Sequence, residues 1–263
     1  MLIFSLGTIR IPWVNRILRR LAGRSVNVLL QLRSRDYVQP AHGVALVIAP
    51  HQDDCALGCG GLVIQKCIEG FPVHVVYVTD GSASHPHHPA VTPEMLTAER
   101  ERESRAALAK MGVEESAVHL LGAADGTLGR LSPEARAQVV SDFRRLLVAI
   151  RPDEIFITYR LDGSSEHEAA FLLFTEAMAG TGLQPRVYEY PVWALWNSLR
   201  LIRPCLTARR INRFRFRGHE DAKIAVLKCY VSQFEPTPPW PEPVIDPDFV
   251  RLFQQPCEFF LEI

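Results

Sequence analysis

The chain lacks an excess of charge of either sign. Lys and Arg number 29, as do Asp and Glu, over 263 residues, so no global field drives it toward nucleic acid. It also lacks the interleaved aromatic and basic residues of an RNA-binding surface. Cysteine is sparse, six residues scattered from Cys55 to Cys257, which excludes a disulfide-dense scaffold and makes a reducing cytoplasm the expected setting. Cys55 and Cys59 have ligand-like spacing, but no second cysteine pair completes a closed four-ligand site. No G-x-G-x-x-G follows the first long apolar run, which removes the dinucleotide-binding fingerprint. Internal repeats, low-complexity tracts and an apolar run long enough to span a bilayer are likewise missing.

Acidic residues are absent before Asp36, where Arg10, Arg16, Arg19, Arg20, Arg24, Arg33 and Arg35 alternate with apolar residues. Residues 1–43 therefore read as a basic, helical N-terminal extension. Two roles fit it: peripheral contact with an anionic membrane, or packing on the domain with the arginines in water. Arg10 interrupts the early apolar run, and no clean cleavage site follows, so it does not read as a secretory signal. Residues 44–263 are long enough, at 48% apolar content, for one α/β domain.

The most informative stretch is VALVIAPHQDDCALGCGG, residues 44–61. Six apolar residues without alternation predict a strand buried on both faces of a parallel sheet, ended by Pro50. His51, Asp53 and Asp54 then fall at the strand's carboxyl end, where open α/β sheets place their ligands. An imidazole and a carboxylate, His51 and Asp54, suit zinc, and a catalytic zinc needs a third protein ligand plus an open position. Asp53 must point away from its neighbour, leaving its carboxylate to act as general base. The same residue types also serve as turn and helix-cap residues. A Gly-rich turn is expected over residues 58–61, followed by helix to Glu69.

Beyond it the pattern alternates. Strands are expected at 73–78, 118–121, 154–158 and 186–190, and helices at 95–111, 133–150 and 169–179, which favours a parallel sheet. The tail is less regular: Trp193, Trp196 and Trp240 with a proline-rich stretch at 236–247 suggest a loop-rich cap. Arg209, Arg210, Arg213, Arg215 and Arg217 form a second basic cluster suited to phosphate, a lipid headgroup or solvent.

These segments together resemble the PIG-L/LmbE-like de-N-acetylases. APHQDD with LGCGG is similar to that family's first motif, and Tyr77-Val78-Thr79-Asp80-Gly81 to its second strand and T-D-G turn. Arg100 and Glu103 with Ala106 and Ala107 resemble its R-x-x-E-x-x-A-A helix, and Leu121-Gly122 with Asp125-Gly126 its L-G-x-x-D-G segment. TYRLDGSSEHEA, residues 158–169, is similar to its D-G-H-P-D-H element, and Lys223 with Ser232-Gln233 to its late lysine and S-Q pair. The resemblance implies a Rossmann-like three-layer α/β sandwich with a mostly parallel sheet. It implies a zinc-dependent hydrolase that removes an N-acetyl group from an N-acetylglucosamine-type amino sugar or its small-molecule conjugate. His51, Asp54 and His167 become the metal ligands, Asp53 the base, and Arg100 and Asp125 substrate contacts. Another divalent ion in zinc's place, the identity of the conjugate and the oligomeric state are left open, and the expected location is cytoplasmic or peripheral to a membrane.

The departures matter too. Gln52 stands for the common Pro, Cys55 for Glu, and Glu166 for the Asp before the last His. Ser164 stands for a His that in the family stabilises the oxyanion or protonates the leaving amine, and a hydroxyl supplies no proton near neutral pH. Losing such a donor costs about a hundredfold or more in rate. Three outcomes follow: His85, His87 or His88 fills the place, Asp53 shuttles the proton alone, or the protein is a non-catalytic zinc- or glycan-binding relative.

Overall fold

In the computed structural model, residues 23, 25–207, 210–216 and 218–263 are described. Most of the basic extension, residues 1–22, and Arg209 and Arg217 of the second basic cluster lie outside them. Helix α1 (residues 25–33) leads into strand β1 (Ser34–Asp36). Strands β2 (Ala45–Ala49), β3 (Val73–Thr79), β4 (Val118–Ala123), β5 (Glu154–Thr158) and β6 (Arg186–Tyr190) alternate with helices α2 (Asp54–Ile68), α3 (Pro93–Met111), α4 (Pro133–Ile150) and α5 (Ser165–Met178). The remainder holds the short α6 (Trp193–Trp196) and α7 (Ile202–Thr207), β7 (Arg210–Arg215), α8 (Glu220–Leu227), α9 (Val231–Phe234), α10 (Pro247–Val250) and β8 (Cys257–Glu262).

The eight strands among the described residues form one sheet in the order β1-β7-β8-β6-β5-β2-β3-β4. Strand β8 pairs antiparallel with β6 and β7, and the other pairings are parallel. Strand β2 is buried on both faces and sorts its side chains by parity. Ala45, Val47 and Ala49 pack into the layer of α2, α3 and α8, and Leu46 and Ile48 into the layer of α4 and α5. That division is the three-layer sandwich, and it explains why β2 reads as an unbroken apolar run. From β2 the chain winds outward through β3 and β4, then crosses back to β5 on the other side. The reversal opens a crevice at the carboxyl ends of β2 and β5, the switch point where such sheets bind ligands.

The expected Gly-rich turn is instead helix: α2 starts at Asp54 and carries Gly58, Gly60 and Gly61 in its interior. At Gly58 and Gly61 the role is packing. A Cβ on Gly58 would overlap the Tyr190 ring, and one on Gly61 the Phe216 ring, so glycine here lets the helix lie close to its neighbours despite a cost of about 1 kcal/mol in helix propensity. The tail also contributes more sheet than its sequence suggests, through β7 and β8. Among the described residues no helix is long and apolar enough to cross a membrane.

Candidate metal centre

Two segments that follow parallel strands converge on the crevice. His51 follows β2 at its exit, and the α2 N-terminus carries Asp53 and Asp54. His167 lies in the first turn of α5, beyond β5. Ligand atoms of His51, Asp54 and His167 all lie within 4.8 Å of one another. The Asp54 Oδ2 is the hub: it lies 3.3 Å from His51 Nδ1 and 3.2 Å from His167 Nε2, and accepts a 2.8 Å bond from the His51 backbone N–H.

His167 is fully buried, and its Nδ1 lies 2.7 Å from Asp162 Oδ2. Asp162 is itself held by the backbone N–H groups of Val192, Trp193 and Ala194. A carboxylate on Nδ1 leaves the proton there and the lone pair at Nε2, as in carboxylate–histidine–metal arrangements. Nε2 is buried beside Asp54 but off the line of a hydrogen bond. Two imidazoles and a carboxylate with an unsatisfied nitrogen turned toward them are a donor set that fits a divalent cation such as zinc, with a position left open.

Electrostatics follow from the burial of these groups without a cation. Burial pushes the His51 imidazole down, but hydrogen bonds to Asp125 and Asp54 overcome it and hold it up at about 9. His167 is likewise raised to about 10, where burial is outweighed by the charge of Asp54 and the bond to Asp162. Asp54 is driven well below the usual carboxylate range, its burial outweighed chiefly by His167. Asp53 goes the other way: burial raises its pKa, with the Arg100 guanidinium opposing.

Asp53 occupies the N-cap of α2, yet its carboxylate caps no backbone N–H. Its Oδ1 accepts instead from Arg100 Nη2 at 2.9 Å. Arg100 is buried and also donates to the Gly81 carbonyl at 3.3 Å. Asp125 accepts from the Ala83 backbone, and its Oδ1 lies 3.1 Å from His51 Nε2. His51, Asp125 and Glu166 thus form a second convergent group that shares His51 with the first. Arg100 and Asp125 are both engaged with residues of the centre.

The other motif residues tie the scaffold together. Glu103 accepts from the Ser232 backbone and hydroxyl, both at 2.7 Å. Gln233 donates to Ser84, and Asp80 accepts from the Ser82 and Asp125 backbones, joining the turns after β3 and β4. Lys223 donates to Glu258 and the Leu57 carbonyl. Gln52 bonds the Thr79 carbonyl, linking the exits of β2 and β3. Cys55 sits in the core and burial pushes its thiol up, which suits an inert cysteine.

Ser164 is the N-cap of α5, with no capping bond from its side chain. His85 and His88 pack instead on the tail loop: His85 stacks on Trp240 with centroids 5.4 Å apart and lies 3.4 Å from Thr237 Oγ1, and His88 reaches the Thr237 carbonyl at 3.1 Å. His87 is exposed at positive φ. None of the three is in the convergent groups around His51. Asp162 went unassigned in the sequence; its signal was the D-G dipeptide five residues before a candidate ligand.

Fold and site define a mostly parallel α/β protein with an imidazole–carboxylate centre at its switch point. Residues 46–178 match the PIG-L family, described as GlcNAc-PI de-N-acetylase, and the chain belongs to that family. A diacetylchitobiose deacetylase of Thermococcus kodakarensis is 31% identical over 140 residues, 52% of this chain and 50% of that protein. The chain thus matches about half the length of that relative. The crystal structure of the N,N'-diacetylchitobiose deacetylase of Pyrococcus horikoshii has a TM-score of 0.57 at 20% identity, covering 89% of this chain and 82% of the other. The 4-carboxy-2-hydroxymuconate hydratase of Pseudomonas putida also scores 0.57, at 19% identity, covering 72% and 79%. One fold therefore carries different chemistries, and the reaction must be argued from the site.

Proposed function

We propose that this chain is a metal-dependent hydrolase that removes the N-acetyl group of an N-acetylglucosamine-type amino sugar or its conjugate, with zinc held by His51, Asp54 and His167. The observation that carries the reading is the pairing of a convergent His-Asp-His donor set with a separate buried carboxylate, Asp53, one residue away. Zinc there would supply Lewis acidity, activating water and polarising the acetyl carbonyl. Asp53, raised by burial and oriented by Arg100, takes the proton of the attacking water and delivers it to the leaving amine. Asp162 keeps His167 turned inward, and Asp125 does the same for His51. Attack at the acetyl carbon followed by C–N cleavage releases acetate and the free amine.

Ser164 favours a second reading, a zinc- or glycan-binding protein without turnover, because a hydroxyl stands where the family carries an imidazole, and His85, His87 and His88 lie outside the groups that converge on His51. Metal analysis of the purified full chain is the first test. About one zinc per chain, lost in His51→Ala, is the expected result; no metal in either sinks both readings. Zinc bound without acetate release across a broad panel of N-acetylated sugars favours the binder. Membrane contact through the basic N-terminal extension, residues 1–43, and a cytoplasmic location remain parts of this proposal; flotation of the full chain against a chain starting at residue 36 tests the membrane contact.

A further inference from the structure

The segment from Ser198 to Thr207 places aliphatic residues on its outward as well as its inward side. Its inward positions are Ser198, Leu201, Pro204 and Cys205, of which Leu201 and Cys205 share a core cluster with Val26 and Leu30 of α1. Outward it presents Leu199 at 66% exposure, Ile202 at 39% and Leu206 at 64%, one helical turn apart, with the exposed Arg200 and Arg203 between them. A surface helix normally turns polar residues to water, and single exposed aliphatics need no explanation, but an aligned row of three does. The neighbouring α1 repeats the pattern: Leu32 is 77% exposed, and Arg33 donates to the Cys205 carbonyl, binding the two helices.

Charge narrows the choice of partner. No Asp or Glu occurs between residues 191 and 219. The acid beside the row is Glu168, 3.8 Å from Arg200. Aliphatics interleaved with arginines suit an anionic lipid surface, where the apolar side chains enter the headgroup boundary and the guanidinium groups meet phosphates. A second copy of the chain fits less well, because a two-fold contact would bring the same arginines against each other.

Arg200 donates to the Leu161 carbonyl at 3.4 Å, which ties the row to the loop that carries Asp162. We propose that the outward face of residues 199–206 is a docking surface for anionic lipid membranes. It is distinct from the basic segment 1–22 and does not depend on the reaction proposed above.

Vesicle flotation of the full chain tests it, with phosphatidylcholine alone and with phosphatidylglycerol added. Wild type floats with the anionic vesicles and much less with the neutral ones. Arg200→Gln with Arg203→Gln weakens anionic binding by about thirty-fold, from the usual contribution of a basic residue at such a surface. Leu199→Ser, Ile202→Ser and Leu206→Ser together reduce it by at least about tenfold. Circular dichroism confirms that each variant is folded, and the arginine pair, which leaves the packed residues untouched, keeps the test decisive if the triple variant unfolds. Wild type that stays with the protein fraction overturns the proposal, as does binding equal in wild type and both folded variants. So does sedimentation showing a dimer that the leucine variants split while vesicles bind neither form.

Discussion

At the scale of single residues, the centre depends on carboxylates placed beside imidazoles. Asp54 is the shared hub, Asp53 is freed from capping by Arg100, and Asp162 fixes the tautomer of His167. His51, Asp53 and Asp54 stand out in the sequence because they follow an apolar run at once, whereas His167 is singled out through the resemblance of residues 158–169 to a family element. Asp162 and the buried state of Arg100 are legible in neither way. Both depend on contacts across elements distant in the chain, Asp162 with the backbone at 192–194 and Arg100 with Asp53 and Gly81. Asp162→Asn keeps an acceptor oxygen for the Val192 and Ala194 N–H groups but removes the charged partner of Nδ1 and the acceptor of the Trp193 N–H. Zinc affinity is expected to fall about 10–100-fold, measured by competition with a chromophoric chelator, with unchanged circular dichroism.

Among the elements, the helix N-termini carry the chemistry and the glycines set the packing. The five parallel strands and their four long helices were readable from periodicity. The start of α2 was not, because glycines that signal a turn locally are used here for close contact with Tyr190 and Phe216. Strands β7 and β8 were missed because three of the six residues of β7 are arginines, which read as part of a basic surface cluster, while β8 lies beyond a proline-rich loop. At α5 the N-cap Ser164 makes no capping bond, so its replacement costs the helix little. Ser164→His is therefore expected to fold normally and to raise kcat for acetate release by about a hundredfold, read in a coupled acetate assay at equal zinc content.

For the whole molecule, the metal-free centre and the bound cation respond to pH in opposite directions. His51 and His167 are raised to about 9 and about 10. A raised imidazole stabilises the metal-free fold fully below its ordinary value near 6.5, and that contribution is lost as pH rises through 9 to 10. A cation must displace those protons, so its affinity rises with pH over the same window. Calorimetry of zinc added to stripped protein at pH 7, in buffers of different ionisation enthalpy, is expected to show proton release, and the gain in Tm on adding zinc to grow from pH 6 to pH 8. The eight-stranded sheet supports this by holding β2 and β5 side by side, so that residues more than a hundred positions apart meet at one crevice.

The most direct test of the account is acetate release from N-acetylglucosamine conjugates, measured side by side for zinc-loaded wild type and Asp53→Asn of equal metal content. Wild type is predicted to turn over, and the variant to be slower by about 10²–10⁴-fold. Equal rates in the two proteins, or no release from any conjugate by the zinc-loaded wild type, would contradict it.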